Sequence, residues 1–255
     1  MDRVAAILAL LEDRDPRVVD PLLSRLAADE SLLDRTWLAA LERGQEPPMA
    51  LVHLVLRQDA EALVDAFAEA EDLETGVWLL PRLLKPRFDH RGAGVVALDE
   101  VAARLRLDGI SDGGALAEWL CGECGFAGDH SDFDNPLNTY LTTVLERRMG
   151  MPIALTSLWI LVGRRLGLPL EAIAIPGHVV GRWSGGYVDL FEAGRAITVD
   201  ELDERVRGFG GRAAPFLAPA SDRALLRRMA RNLTHSYLRR EDVVRATIAH
   251  GLATG

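Results

Sequence analysis

From Pro152 to Leu166 the chain carries a strongly apolar helix pattern, opened by a proline in the first turn and closed by Gly167. Proline suits that position because a first-turn N–H has no intrahelical acceptor to lose, and glycine suits the left-handed end. A helix this apolar has to be surrounded by other elements, so it marks the centre of the fold. Directly after it the hydrophobic period changes. Residues 171–175, 178–183 and 187–191 read as short strands separated by Pro176-Gly177 and Ser184-Gly185-Gly186, and the last two form a hairpin. The expected class is α+β and mostly helical, with a small antiparallel sheet packed on one central helix.

Helical patterns fill the rest. Asp15-Pro16 is a cap followed by a first-turn proline, after which Val18, Val19, Leu22, Leu23 and Leu26 share a face. A second helix spans about 31–43 and stops at Gly44; Pro47-Pro48 opens a third with Leu51, Val52, Leu54 and Val55, and a fourth covers about 59–71. Paired helices of this length resemble HEAT-type repeats, without a period that establishes one. The pattern continues over 74–84 with a kink at Pro81, breaks at Pro86, and resumes over 95–107 and 114–121. Residues 125–136 have loop composition, and 137–148 form a helix ending before Gly150. A short helix at 199–206, an irregular stretch at 208–219 and helices at 222–238 and 241–252 complete the chain. The expected division is an N-terminal helical region (1–72), a core (73–210) and a C-terminal helical hairpin (211–255).

Charge and composition narrow the function. The net charge is −9, and no basic run interleaves with aromatics, which disfavours nucleic acid as a partner. Arg227, Arg228, Arg231, Arg239 and Arg240 read as a solvated helix face. The apolar stretch 149–160 is too short for a membrane span of about 20 residues. The opening Met1-Asp2-Arg3-Val4-Ala5-Ala6 lacks the layout of a secretory leader, so a cytoplasmic, non-membrane protein is expected. Cys121 and Cys124, the only cysteines, are spaced as in a redox pair or half of a zinc site. Zinc needs four ligands and a redox motif needs a strand-to-helix context, so a packing role is expected. His53, His90, His130, His235 and His250 show no ligand spacing; no metal and no cofactor are expected.

The chemistry is concentrated in Asn138-Thr139-Tyr140-Leu141, Val144-Leu145-Glu146-Arg147-Arg148, Gly150-Met151-Pro152-Ile153, Arg165-Leu166-Gly167-Leu168, Pro176-Gly177-His178 and Asp189-Leu190-Phe191. In this order and spacing they resemble the SirB-type transglutaminase-like family, and Cys124-Gly125-Phe126-Ala127-Gly128 resembles its glycine-phenylalanine loop. The resemblance spans about 73–238, departing at Leu190, Thr139 and 179–182. It implies a transglutaminase-like, papain-like core, with Arg231 to Leu238 beginning a tetratricopeptide-like tail that is one hairpin long here. In catalytic members of the wider superfamily a cysteine at the start of the central helix is activated by the helix dipole and a histidine, which an aspartate orients. His178 and Asp189 match the latter two. The cysteine slot falls at Pro152, which has no nucleophile.

Two readings of the remaining pair follow. His178 and Asp189 are either a residual polar pair that stabilises the hairpin end, or part of a pocket with Asn138, Glu146, Arg148 and Pro152 that binds a polar ligand or peptide. Thr156, one turn deeper in the helix, is expected to bond to the preceding turn, and Cys124 would lack activation by a helix start. The expected function is a degenerate transglutaminase-like domain, a pseudoenzyme that binds a protein or peptide partner in a binding or regulatory role. The alternatives are a hydrolase or peptidase in which the His178-Asp189 dyad activates water as general base, and a pure scaffold. An open cleft at His178 would favour binding or hydrolysis; a dry, packed one would favour the scaffold.

Overall fold

The computed structural model describes residues 3–13, 15–44, 46–209 and 212–255. Met1 and Asp2 of the leader reading, and the 210/211 boundary, lie outside the described residues. The N-terminal region consists of α1 (Arg3–Leu11), α2 (Pro16–Ala28), α3 (Glu30–Glu42) and α4 (Met49–Ala68). Asp15 accepts the Arg17 N–H to cap α2, and Asp29 accepts the Leu32 N–H to cap α3. The third and fourth expected helices are a single helix, α4, 20 residues long. The dip in apolar period at Arg57-Gln58-Asp59 contains neither glycine nor proline, and a polar stretch without such a residue does not stop a helix.

The next segment begins with α5 (Leu73–Val77) and a 3₁₀ turn, Leu80–Leu83, in place of one kinked helix; Pro81 cannot donate the bond that would continue α5. Helix α6 (His90–Leu107) starts five residues before the expected position because Asp89 accepts the N–H groups of Arg91 and Gly92. Trp78 fills the space where a side chain at Gly94 would stand. Helix α7 (Gly113–Glu118) runs into a π turn at Trp119–Glu123. Strand β1 (Ala127–Gly128) pairs in parallel with β2 (Met149–Gly150), a contact absent from the sequence reading. Between them the expected helix is divided: Asn135 caps a 3₁₀ turn at Pro136–Asn138, and α8 (Leu141–Arg147) follows.

Helix α9 (Pro152–Leu166) keeps its expected limits, with Pro152 in its first turn and Gly167 at φ 73° closing it. Twelve consecutive residues, Pro152 to Gly163, are buried. On it lies an antiparallel sheet in the order β3 (Glu171–Ile175), β4 (His178–Trp183), β5 (Gly186–Asp189) and β6 (Arg195–Ile197). Gly181 of β4 faces Trp159 too closely for any side chain, so strand and helix approach backbone to ring. Trp159 is fully buried, and its indole N–H donates to the Gly113 carbonyl at 3.0 Å. Strand β6 was not expected; its three residues are too few to carry an alternation signal. Helix α10 (Val199–Arg207) begins with a reciprocal cap between Thr198 and Glu201.

Helices α11 (Asp222–Leu238) and α12 (Val243–Thr254) form the C-terminal hairpin, packed on each other and, through α12, on α4. The buried hydroxyls of Tyr140 and Tyr237 meet at 2.7 Å, and Arg245 donates to the Leu83 carbonyl at 2.6 Å and to Asp242 at 2.7 Å. Leu33 of α3, Val55 of α4, Leu161 of α9, Met229 of α11 and Leu252 of α12 belong to one continuous hydrophobic cluster. The result is a mostly helical α+β architecture in which no helix of the described residues is long and apolar enough to cross a membrane.

Candidate functional site

Asp189 ends β5 with its side chain fully buried, a position that costs several kcal/mol unless the charge is met. It is met four times. His178 at the start of β4 places Nε2 3.0 Å from both carboxylate oxygens, Arg205 of α10 places Nη2 2.7 Å from Oδ2, and the N–H groups of Phe191 and Glu192 donate to Oδ1 at 3.1 and 3.3 Å. Burial alone would raise the Asp189 pKa. The His178 hydrogen bond, the charges of His178 and Arg205, and the Glu192 N–H outweigh it and hold the pKa below the ordinary aspartate value. Arg205 was not found from sequence, where a basic residue in the last turn of a helix reads as a dipole partner.

Phe191 packs edge-on against His178 with ring centroids 6.0 Å apart, and also against His130 and Phe133 at 4.5 and 5.6 Å. Gly128 of β1 lies under the Phe191 ring, leaving no space for a Cβ, and its N–H donates to the Phe191 carbonyl at 3.0 Å. The glycine-phenylalanine loop and the Asp189-Leu190-Phe191 segment are thus parts of one wall.

With Nε2 committed to Asp189, Nδ1 has no protein partner among the described residues. His178 and Pro152 line the same cavity, of about 290 Å³, together with Phe133, Asp134, Met151, Ile153 and Gly177 on the core side and Arg228, Asn232, His235 and Ser236 from α11. The start of α9 opens into it. No thiol is on this wall. Ser236 supplies a hydroxyl, but no hydrogen bond joins it to His178 among the described residues. His235 was expected to be a surface or packing residue; it is exposed, and stands at the rim of this cavity.

The other expected site residues are placed elsewhere. Asn138 is fully buried; its amide donates to the Asp132 carbonyl at 2.8 Å, its Oδ1 accepts from Arg147 at 3.0 Å, and its backbone carbonyl accepts the Met151 N–H at 2.9 Å. It therefore positions the start of α9 from behind. Arg147 also pairs with Asp129 at 3.2 Å. The Asp129 carboxyl is held down at about 2, chiefly by the Ser131 hydroxyl, against burial and with help from the Asp132 N–H. Arg148 turns away in a left-handed conformation at φ 57° and donates to the Cys124 carbonyl. Glu146 lines a separate cavity with Lys85, Phe88 and His90. Thr156 contradicts the expected bond to its own helix: its hydroxyl reaches across to the Val179 carbonyl at 3.5 Å, because β4 presses on that face of α9.

Neither cysteine lines the Pro152–His178 cavity. Cys121 contacts the Leu190 carbonyl and is pushed up to about 12, first by burial and then by the negative charge of Asp189. Burial raises Cys124 as well, against the opposing charges of Arg148 and Arg104. Both are free thiols, and no cluster of three or more metal-ligating side chains occurs among the described residues.

The sequence profile of the transglutaminase-like superfamily matches residues 95–231, more than half of the chain, from α6 to the middle of α11. The chain belongs to the transglutaminase-like superfamily. A UPF0162 protein of Xylella fastidiosa is 38% identical over 134 residues, 48% of this chain and 48% of that protein. A UPF0162 protein of Haemophilus influenzae is 27% identical over 139 residues, 50% of each. The mouse F-box only protein 21 is 38% identical over 90 residues, 31% of this chain and 14% of that protein. The transglutaminase-like chain thus aligns with about half the length of these two bacterial relatives. No solved structure matches it.

Proposed function

We propose that this chain is a SirB-type transglutaminase-like domain that has lost covalent catalysis and acts by binding a protein or peptide ligand in the cavity between Pro152 and His178. One observation carries the reading: the histidine oriented by Asp189 and the proline at the start of α9 share an open cavity of about 290 Å³ that contains no thiol. A pure scaffold has no need of such a cleft. An acyl transfer through a thioester needs an activated sulfur, and both thiols of this chain have raised pKa values. The short helical hairpin α11–α12 supports a truncated tetratricopeptide-like tail, here serving as one wall of the cleft.

The second reading, a hydrolase in which His178 acts on water, is favoured by the free Nδ1 beside an open cavity. The two separate in an activity assay. Purified protein given fluorogenic peptide, amide and ester substrates is expected to show no turnover; turnover that disappears in His178→Ala establishes the hydrolase instead. The position of the lost nucleophile has its own test. In Pro152→Cys the introduced thiol is expected to react with iodoacetamide about tenfold faster than Cys121 or Cys124 near neutral pH, since a helix start and an imidazole both favour the thiolate. The rate should fall when His178→Ala is added. An introduced thiol as slow as the native two would place the nucleophile slot elsewhere.

A further inference from the structure

The cavity wall has a charge imbalance that neither reading uses. Arg228, in the middle of α11, is half-buried and lines the cavity, and its one hydrogen-bond partner among the described residues is the Ile175 carbonyl at the end of β3, 3.0 Å from Nη2. No carboxylate lies within ion-pair distance of it among the described residues, whereas Arg147, Arg164, Arg165, Arg205, Arg239 and Arg245 all have one. Burial, and then repulsion from Arg231, lower its pKa, which is the response of a cation lacking a counter-ion. A guanidinium keeps its proton even so. The single acidic side chain on the cavity wall, Asp134, is already paired with Arg239 at 3.2 Å. On a chain of net charge −9, this cavity presents a guanidinium, two imidazoles and the positive end of the 15-residue helix α9.

We infer that Arg228 is a specificity residue that selects a ligand bearing a carboxylate, received by its guanidinium in the cavity it shares with His178. The inference rests on the binding reading above and supplies the ligand class. The Nε and Nη1 groups of Arg228 have no hydrogen-bond partner among the described residues, and a planar guanidinium can meet a carboxylate through two parallel N–H···O bonds. A phosphate carrying two charges calls for more than one committed cation, and here a single arginine is available. The carboxylate can come from the C-terminal residue of a chain or from an acidic side chain.

The test is a titration of ¹⁵N-labelled full-length protein, followed through the amides of Val179, Asn232 and Ser236. N-acetylalanine carries an α-carboxylate, the α-amide of N-acetylglutamate carries a side-chain carboxylate, N-acetylalaninamide is the neutral match and inorganic phosphate the competing anion. At least one carboxylate is expected to bind about tenfold or more tightly than N-acetylalaninamide, the scale of a charge-assisted hydrogen bond. The stronger of the two identifies a chain terminus or an acidic side chain as the source. The preference should disappear in Arg228→Gln, survive in part in Arg228→Lys, and weaken with added salt. Should Arg228→Gln not fold, the Lys variant and the salt series decide. Equal binding of the amide and the acids, tighter binding of phosphate, unchanged binding in Arg228→Gln, or no binding of either carboxylate overturns the inference. In the first case the cleft still binds and the reading of the site survives. Turnover lost in His178→Ala would overturn that reading and leave the carboxylate preference in place.

Discussion

Asp189 is a carboxylate that nothing in the interior would tolerate alone, and its neighbours determine what the site can still do. Arg205 meets it from one side while His178 holds it from the other. Asp189→Ala removes the common partner of both and is expected to destabilise the protein by about 3 kcal/mol, the lower end for breaking a buried pair, because Arg205 is 29% exposed and can rehydrate. Urea unfolding at neutral pH checks this. The sign of the pH dependence follows from the same residues. Asp189 is lowered, and Asp129 is lowered to about 2. A depressed folded pKa contributes stability that is complete above the unfolded value, about 3.9, and is lost as the pH falls through the folded one. Asp129→Asn should therefore be less stable than the parent at pH 7, with the gap closing as the pH drops from about 4 toward 2. A gap that stays constant over that range would refute the assignment.

Among the elements, β1 is only two residues long and closely packed. Its Gly128 lies beneath Phe191, whose ring in turn stands against His178. Gly128→Ala is expected to cost about 1–3 kcal/mol, the range for overpacking a filled site, and to shift the His178 ring resonances, since the methyl can be accommodated only by moving Phe191. Thermal unfolding and the histidine region of the proton spectrum read the two effects separately. The sequence showed a loop here because two residues have no period, and a parallel pairing with residues more than 20 positions away leaves no local trace. The central helix was legible for the opposite reason: its proline start, glycine end and apolar faces are all local signals.

Across the whole molecule, the C-terminal hairpin has two roles. Leu225, Leu226, Met229, Ala230 and Leu233 of α11 are buried in the central cluster, while Arg228, Asn232, His235 and Ser236 on the same helix form the cavity wall. Helix α12 in turn covers α4. Removal of residues 222–255 is expected to abolish the cooperative unfolding transition, because the apolar area uncovered greatly exceeds what a marginally stable fold can lose. A truncated chain that unfolds cooperatively, with His178 still bonded to Asp189, would show the hairpin to be an accessory. The arginines of α11 read from sequence as a solvated face. The structure instead bonds Arg227 to the Gly255 carbonyl and Arg228 to the Ile175 carbonyl.

By itself the sequence determined the elements whose causes are local: α9 between Pro152 and Gly167, the short strands β3 and β4 set off by Pro176-Gly177, and the His178 and Asp189 positions carried by ordered motifs. It also determined that Pro152 cannot supply a nucleophile, since that is a property of the residue alone. Tertiary structure decided which polar groups meet. It brought Arg205 to Asp189 and Arg228 to the Pro152–His178 cavity, placed Asn138 behind α9, and sent Glu146 and Arg148 elsewhere. Helix periodicity records only which residues share a face. The partner a buried charge finds is set by the packing of elements distant in sequence, where the desolvation cost of leaving it unmet is what selects the arrangement.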